Sequence, residues 1–324
     1  MIFKKIVIGL ASGLAITLCA ATARAAEGPA PAAAPIFAEK GEQTCLKCHD
    51  DAPITAVLKT PHGVKGDVRT PAANHGCESC HGASPEHVAS RPAKGEKKVL
   101  PAIRFSGPNA SPVAERNAVC LTCHENNSRI NWQGSQHASN DVACSTCHTV
   151  HATKDPVLVK ASQPEKCFTC HAQQRAESFQ RSHHPVREGK VSCADCHNVH
   201  GSNGPKLVKE ITINDTCYNC HAEKRGPMLW EHEPVRENCD NCHTPHGSPQ
   251  AAMLTERMPY LCSSCHSASG PRNSSGAWFG GHQALPGGSK NNYLVNSELQ
   301  TRSCLNCHSA IHGSNSPSGE AFLR

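Results

Sequence analysis

Twenty cysteines fall in ten copies of one pattern, Cys-x-x-Cys-His. The copies are Cys45-Cys48-His49, Cys77-Cys80-His81, Cys120-Cys123-His124, Cys144-Cys147-His148, Cys167-Cys170-His171, Cys193-Cys196-His197, Cys217-Cys220-His221, Cys239-Cys242-His243, Cys262-Cys265-His266 and Cys304-Cys307-His308. Two thiols three positions apart can form thioethers to two vinyl groups of one porphyrin. The adjoining histidine can then reach the iron, which is the attachment chemistry of c-type haem. A structural zinc site needs four ligands and does not require a histidine directly after the second cysteine. Ten such triplets, with only Cys19 outside them, therefore argue against zinc and against a disulfide framework. Ten covalently bound haem c groups are expected, with each motif histidine as the proximal ligand.

Twelve histidines remain: His62, His75, His87, His137, His151, His183, His184, His200, His232, His246, His282 and His312. Past the N-terminal segment the chain has only Met228, Met253 and Met258, so His/Met ligation cannot be general. Bis-His ligation of all ten irons is the economical reading. The positions are periodic. A unit reads as one motif, a histidine, a second motif, and a histidine just beyond. The five units run over about 45–87, 120–151, 167–200, 217–246 and 262–312, an internal repeat of the length that signals a linear array. Each supplies two extra histidines, giving His62, His87, His137, His151, His200, His232, His246, His282 and His312, plus one of His183 and His184. Aligning His183-His184-Pro185-Val186-Arg187-Glu188 with His232-Glu233-Pro234-Val235-Arg236-Glu237 pairs His183 with His232, and the choice stays open on the residues alone. His75 is a spare. Which distal histidine serves which haem is not readable from spacing.

The elements that must position these groups are short. The chain has 324 residues, and only 4% are aromatic, too few for two ordinary side-chain cores. Haem faces must supply much of the apolar contact. The expected fold is a multihaem cytochrome c: short α-helices and irregular loops around a linear, elongated array of ten haems, with little β. Asp215 is placed as a cap for the helix running through His221. Pro185, Pro234 and Pro245 limit helix length. Loops at 94–112 and 267–296 interrupt the repeat. Trp132 and Trp230 are expected to pack as core.

Residues 1–25 read as a secretory signal: Lys4 and Lys5, an apolar run from Ile6 to Leu18, and the small-x-small site Ala23-Arg24-Ala25. Residues 26–40 read as an Ala/Pro-rich tether and 41–324 as one decahaem domain. Export fits haem attachment outside the cytoplasm and places the chain in the periplasm. The formal net charge of +5 includes Lys4, Lys5 and Arg24, and the exported chain is close to neutral. Two propionates per haem make the loaded protein acidic, which excludes nucleic acid as a partner. Irons with two histidines leave no open position for substrate, and no triad, phosphate loop or carboxylate pair stands out. The chain reads as an electron-transfer protein and not as an enzyme.

Several strings resemble the MtrA/MtoA family of periplasmic decahaem cytochromes over nearly the whole exported chain. They are Asp141-Val142-Ala143-Cys144, Asn214-Asp215-Thr216-Cys217-Tyr218, His221-Ala222-Glu223-Lys224-Arg225-Gly226-Pro227, Leu229-Trp230-Glu231-His232, Arg302-Ser303-Cys304-Leu305-Asn306-Cys307-His308 and Ile311-His312-Gly313-Ser314-Asn315. The resemblance implies a bis-His wire inserted in an outer-membrane β-barrel porin, which would shield a polar backbone that cannot face lipid. It implies periplasmic or inner-membrane cytochrome c on one side, and an outer-surface cytochrome or extracellular iron on the other. It also favours the histidine directly before proline, His184, as the distal ligand, and has no counterpart for His75. The family serves both Fe(II) oxidation and Fe(III) reduction; the short N-terminus suits the oxidation type, and direction stays open. Two alternatives have their own signatures. A soluble carrier feeding a terminal reductase would behave freely in the periplasm. A multihaem reductase would need an open or unusually ligated iron, whereas all ten motifs here end in histidine.

Overall fold

The computed structural model describes residues 34–266, 304–306, 308–317, 319 and 322. The leader at 1–25, most of the tether, the loop at 267–296, Cys307 and His282 lie outside the described residues. The chain divides between Pro35 and Ile36, so the compact unit begins inside the stretch assigned to the tether. The reason is local: Phe37 stacks on His75 with ring centroids 3.7 Å apart, and the Ala38 amide donates to Glu78 Oε2 at 2.7 Å.

Helices are short and strands are absent among the described residues; pairing is confined to isolated bridges such as His197 with Val208 and His243 with Leu254. The longest helix among the described residues, Val113–Leu121, has nine residues. Each unit uses two local forms. The first motif begins in the last turn of a short helix: Glu42–Cys45, Val113–Leu121, Gln163–Phe168, Ile213–Tyr218 and Tyr260–Ser263. The second is itself a single turn: Glu78–His81, Cys144–Cys147, Cys193–Cys196, and the 3-10 turns Cys239–Asn241 and Cys304–Asn306.

Isolated helices of this length are not stable in water, so packing and caps must hold them. Ser192 and Asp195 form a reciprocal capping box at Cys193–Cys196. The cap expected at Asp215 is instead Thr212, whose Oγ1 accepts from the Asp215 amide at 3.0 Å and donates to the Asp215 carboxylate at 2.6 Å. The helix starts one turn earlier than the sequence indicated and stops at Tyr218, before His221. Pro234 sits in the first turn of Glu233–Glu237, where its missing amide costs nothing.

Side chains alone make a thin interior. Among the described residues the buried apolar ones are Trp132, Ala143, Val208 and Phe322, and no large side chain is fully enclosed. Trp132 packs as expected; Trp230 is only half-buried. Such a chain cannot bury enough surface to offset its conformational entropy unless a large apolar group joins it.

Candidate functional site

All ten motifs close in the same way. The amide of the motif histidine donates to the carbonyl of the first cysteine, from His49 to Cys45 at 3.0 Å through to His308 and Cys304 at 2.9 Å. This i to i−4 bond turns the pattern into one helical turn. It puts the first cysteine and the histidine on one face, with the second cysteine beside them. That is the geometry needed to clip a porphyrin at two edges and reach its centre.

Within a unit the two motifs touch. The first cysteines lie close together, each pair near enough to perturb its titration: Cys45 with Cys77, Cys120 with Cys144, Cys167 with Cys193, Cys217 with Cys239, and Cys262 with Cys304. Between units second cysteines approach each other: burial, with a smaller contribution from the facing Cys123, Cys170, Cys220 and Cys265 respectively, pushes the thiols of Cys80, Cys147, Cys196 and Cys242 up. Each internal motif therefore meets its predecessor and its successor. The described cysteines are all free of disulfides.

The non-motif histidines face motif histidines. Nine ring pairs have centroids 6.0 to 6.3 Å apart: His49–His87, His62–His124, His81–His151, His137–His171, His148–His200, His184–His221, His197–His246, His232–His266 and His243–His312. Two metal–imidazole bonds of about 2.0 Å plus a ring radius on each side come to roughly 6 Å. The residues therefore fit an iron between each pair. Burial pushes the pKa of His81, His124, His197, His232, His246, His266 and His312 down. His200 falls to about 4, through burial and then the neighbouring His148. Neutral imidazole is the ligating form.

Eight of these nine pairings cross unit boundaries; the exception is His87, which faces His49 of its own unit. In the first four units, the histidine before the second motif faces the first motif of the next unit, as His62 faces His124 and His137 faces His171. From the second unit on, the histidine after the second motif faces the second motif of the preceding unit, as His246 faces His197. Backbone contacts brace these crossings. His137 Nδ1 lies 2.8 Å from Val199 O and His184 Nδ1 2.7 Å from Pro245 O, each acceptor being the residue before a post-motif histidine. Ile311, before His312, also lies beside His232, whose buried Nδ1 makes no hydrogen bond among the described residues. The loop at 94–112 does more than interrupt the repeat: Ile103 O lies 3.0 Å from His81 Nδ1 and Val99 O 2.7 Å from His87 Nδ1.

His183 and His184 separate clearly. The His184 ring is 6.2 Å from His221. His183 points elsewhere, with Nδ1 2.7 Å from Gln180 O and Nε2 3.4 Å from Glu188 Oε1. His75 is occupied by its stack on Phe37. Two positioning residues lie outside the sequence reading. Buried Asn117 and Asn214 each stand three residues before a first cysteine and accept from the amide of the second motif's first cysteine, at 2.8 Å from Cys144 and 2.7 Å from Cys239. Their recurrence at one offset in two units was the available signal.

Comparison with known proteins now decides the family. The chain is 41% identical to Multiheme cytochrome MtrA of Shewanella baltica (strain OS185) over 289 residues, 89% of this chain and 83% of the relative. The chain belongs to the MtrA family of multihaem cytochromes. The doubled CXXCH motif model matches residues 183–226 and 232–270, the NrfB-like c-type cytochrome model matches 77–164, and the cytochrome c554 and c-prime model matches 21–82. As an MtrA-type protein it is a c-type, haem-binding electron-transfer cytochrome, and its fold is the expected one of short helices and irregular loops with little β.

Proposed function

We propose that this cytochrome carries ten haem c groups, each between two histidines, and conducts electrons through an outer-membrane β-barrel porin. The observation that carries the reading is the run of nine facing histidine pairs, which takes in nine of the ten motif histidines. His308 is assigned His282, which lies outside the described residues. Bound haem c supplies one-electron Fe(III)/Fe(II) exchange. The chain's own contribution is to hold the irons in sequence order, to fill both axial positions, and to keep neighbouring motifs in contact. Nothing then binds a substrate at iron, which is why conduction is favoured over catalysis.

The leader at 1–25 routes the chain to the periplasm, and the porin partner supplies the wall that the polar backbone lacks. Among the described residues no helix is long and apolar enough to cross a membrane. Periplasmic or inner-membrane cytochrome c meets one end, and an outer-surface cytochrome or extracellular iron the other. Direction, Fe(II) oxidation or Fe(III) reduction, follows from partners and potentials.

The test is reconstitution of the haem-loaded protein with its barrel in liposomes holding a reduced dye. External ferric oxidant should oxidise the dye at a rate that vanishes when either component is omitted. A dye that stays reduced overturns the conduit reading. A pyridine haemochrome assay should return ten haems per chain.

A further inference from the structure

The segment after the second motif has one register in three consecutive units, and one unit departs from it. In two of them the residues nine and ten places beyond the motif histidine are left-handed: Lys206 and Leu207 (φ 54° and 59°), Ala252 and Met253 (φ 55° and 53°). The left-handed pair turns two carbonyls inward. Lys206 O meets His197 Nδ1 at 3.0 Å and Leu207 O accepts from the Asn198 amide at 2.8 Å. Ala252 O meets His243 Nδ1 at 2.8 Å and Met253 O accepts from the Thr244 amide at 2.8 Å.

The unit at 120–151 has Val157 and Leu158 at those offsets. A β-branched valine resists left-handed backbone, and neither residue adopts it. Seven places beyond His148, where the other units have Gly204 and Gln250, stands Asp155. Its carboxylate replaces both carbonyls. Oδ2 lies 2.8 Å from His148 Nδ1, and Oδ1 accepts from the Thr149 amide at 3.2 Å and the Val157 amide at 3.3 Å. The Asp155 side chain is largely shielded from water, at 13% exposure.

We propose that Asp155 is a positioning residue that sets the haem on Cys144 and Cys147 apart as a low-potential step in the series. With Nε2 on iron, Nδ1 of His148 carries the proton and donates it to Asp155. A full negative charge on that proton makes the imidazole a stronger donor, and a stronger donor favours ferric over ferrous iron. With haem bound there, an electron arriving from a neighbouring haem would leave the proton on His148, so the pair need neither take up nor release one. The facing rings of the three sites are all near parallel, at 9°, 17° and 12°, so ring orientation does not separate them. The His243 site is the direct reference. The His197 site is an intermediate case, because Glu177 Oε2 stands 3.4 Å from its facing His246, beyond the short charge-assisted range.

The inference rests on the paired-histidine reading, and one experiment separates the two. The full-length, haem-loaded protein is titrated by optical spectroelectrochemistry, with ferric electron paramagnetic resonance in parallel, as wild type, Asp155→Asn and Asp155→Glu. Asp155→Asn should move about a tenth of the optical change to more positive potential and alter one low-spin component, with all centres still low-spin. Asp155→Glu should keep that component at the low end. The wild-type ferric spectrum should already contain a component of stronger axial donation than the rest. If all its components match neutral-imidazole pairs, or if low-spin Asp155→Asn titrates like the wild type, the role of Asp155 is overturned alone. A high-spin signal from several centres of the wild type overturns the paired-histidine reading and this inference with it.

Discussion

Junctions inside a unit and junctions between units are built from different chemistry. Inside a unit, two motifs meet through neighbouring thiols and, in two units, through an asparagine that holds the second motif's first amide, as Asn214 holds Cys239. Between units, the contact is made by histidines that face each other across the boundary, and by glycines that let backbones touch. A β-carbon on Gly201 would sit 2.1 Å from Asn131 O, and one on Gly247 2.0 Å from Glu177 O. Both glycines follow a post-motif histidine and have positive φ, 110° and 149°. Inner contacts therefore set the distance between neighbouring motifs, and outer contacts bring most of the facing histidines together. In the proposed pairing a lone internal unit could attach two haems but would lack the facing histidine for each, so the repeats are interdependent as in other linear arrays; the first unit, where His87 faces His49, makes one pair by itself.

The difference is broken hardest by removing one crossing ligand. His184→Ala should leave the iron facing His221 with a vacant position, converting about a tenth of the haem spectrum to high-spin. His183→Ala, one residue away, should leave the spectrum unchanged, since both ring nitrogens of His183 are engaged by Gln180 and Glu188. Ferric absorption and electron paramagnetic resonance of the two proteins decide the matter. Equal spectra would dissolve the assignment of His184.

How far the sequence could be read follows from the same division. The motifs are legible because thioether geometry is local: two thiols and an imidazole within one turn. The thin side-chain core is legible because the aromatic residues are few. The pairing is not, because His137 and His171 lie in different units and nothing in their spacing says that the chain crosses there. The resemblance named His184, whereas the residue alignment pairs His183 with His232. The structure shows why one of them faces a motif histidine and the other does not. Thr212 displaced Asp215 as the cap because a threonine side chain at the helix edge reaches back to the third amide, a choice among neighbours that composition does not make. Asp155 escaped notice because its role exists only against the left-handed turns of the other two units.

The glycine crossing should cost less than a lost ligand. Gly247→Ala puts a methyl group against Glu177 O on a backbone that L residues rarely adopt, so Glu177, His246 or both must move. We expect about 2 kcal/mol or more of lost stability. A broadened band from the haem at Cys193 and Cys196, whose distal ring is assigned to His246, should accompany it. Thermal unfolding followed in the haem bands reads both.

The smallest effect should come from inside a unit. Asn214→Ala removes the acceptor for the Cys239 amide and the donor to Val235 O and Arg236 O, at 2.9 and 3.0 Å. Leaving part-buried backbone groups unpaired costs about 1–3 kcal/mol. The covalent anchors at Cys217 and Cys239 remain, however, and the axial pairs are made by other elements. The midpoint of thermal unfolding should therefore fall while the low-spin spectrum stays intact, the reverse of the pattern for His184→Ala. A loss of axial ligation in Asn214→Ala would mean that inner and outer junctions are not separable, and that one network holds both the spacing and the coordination.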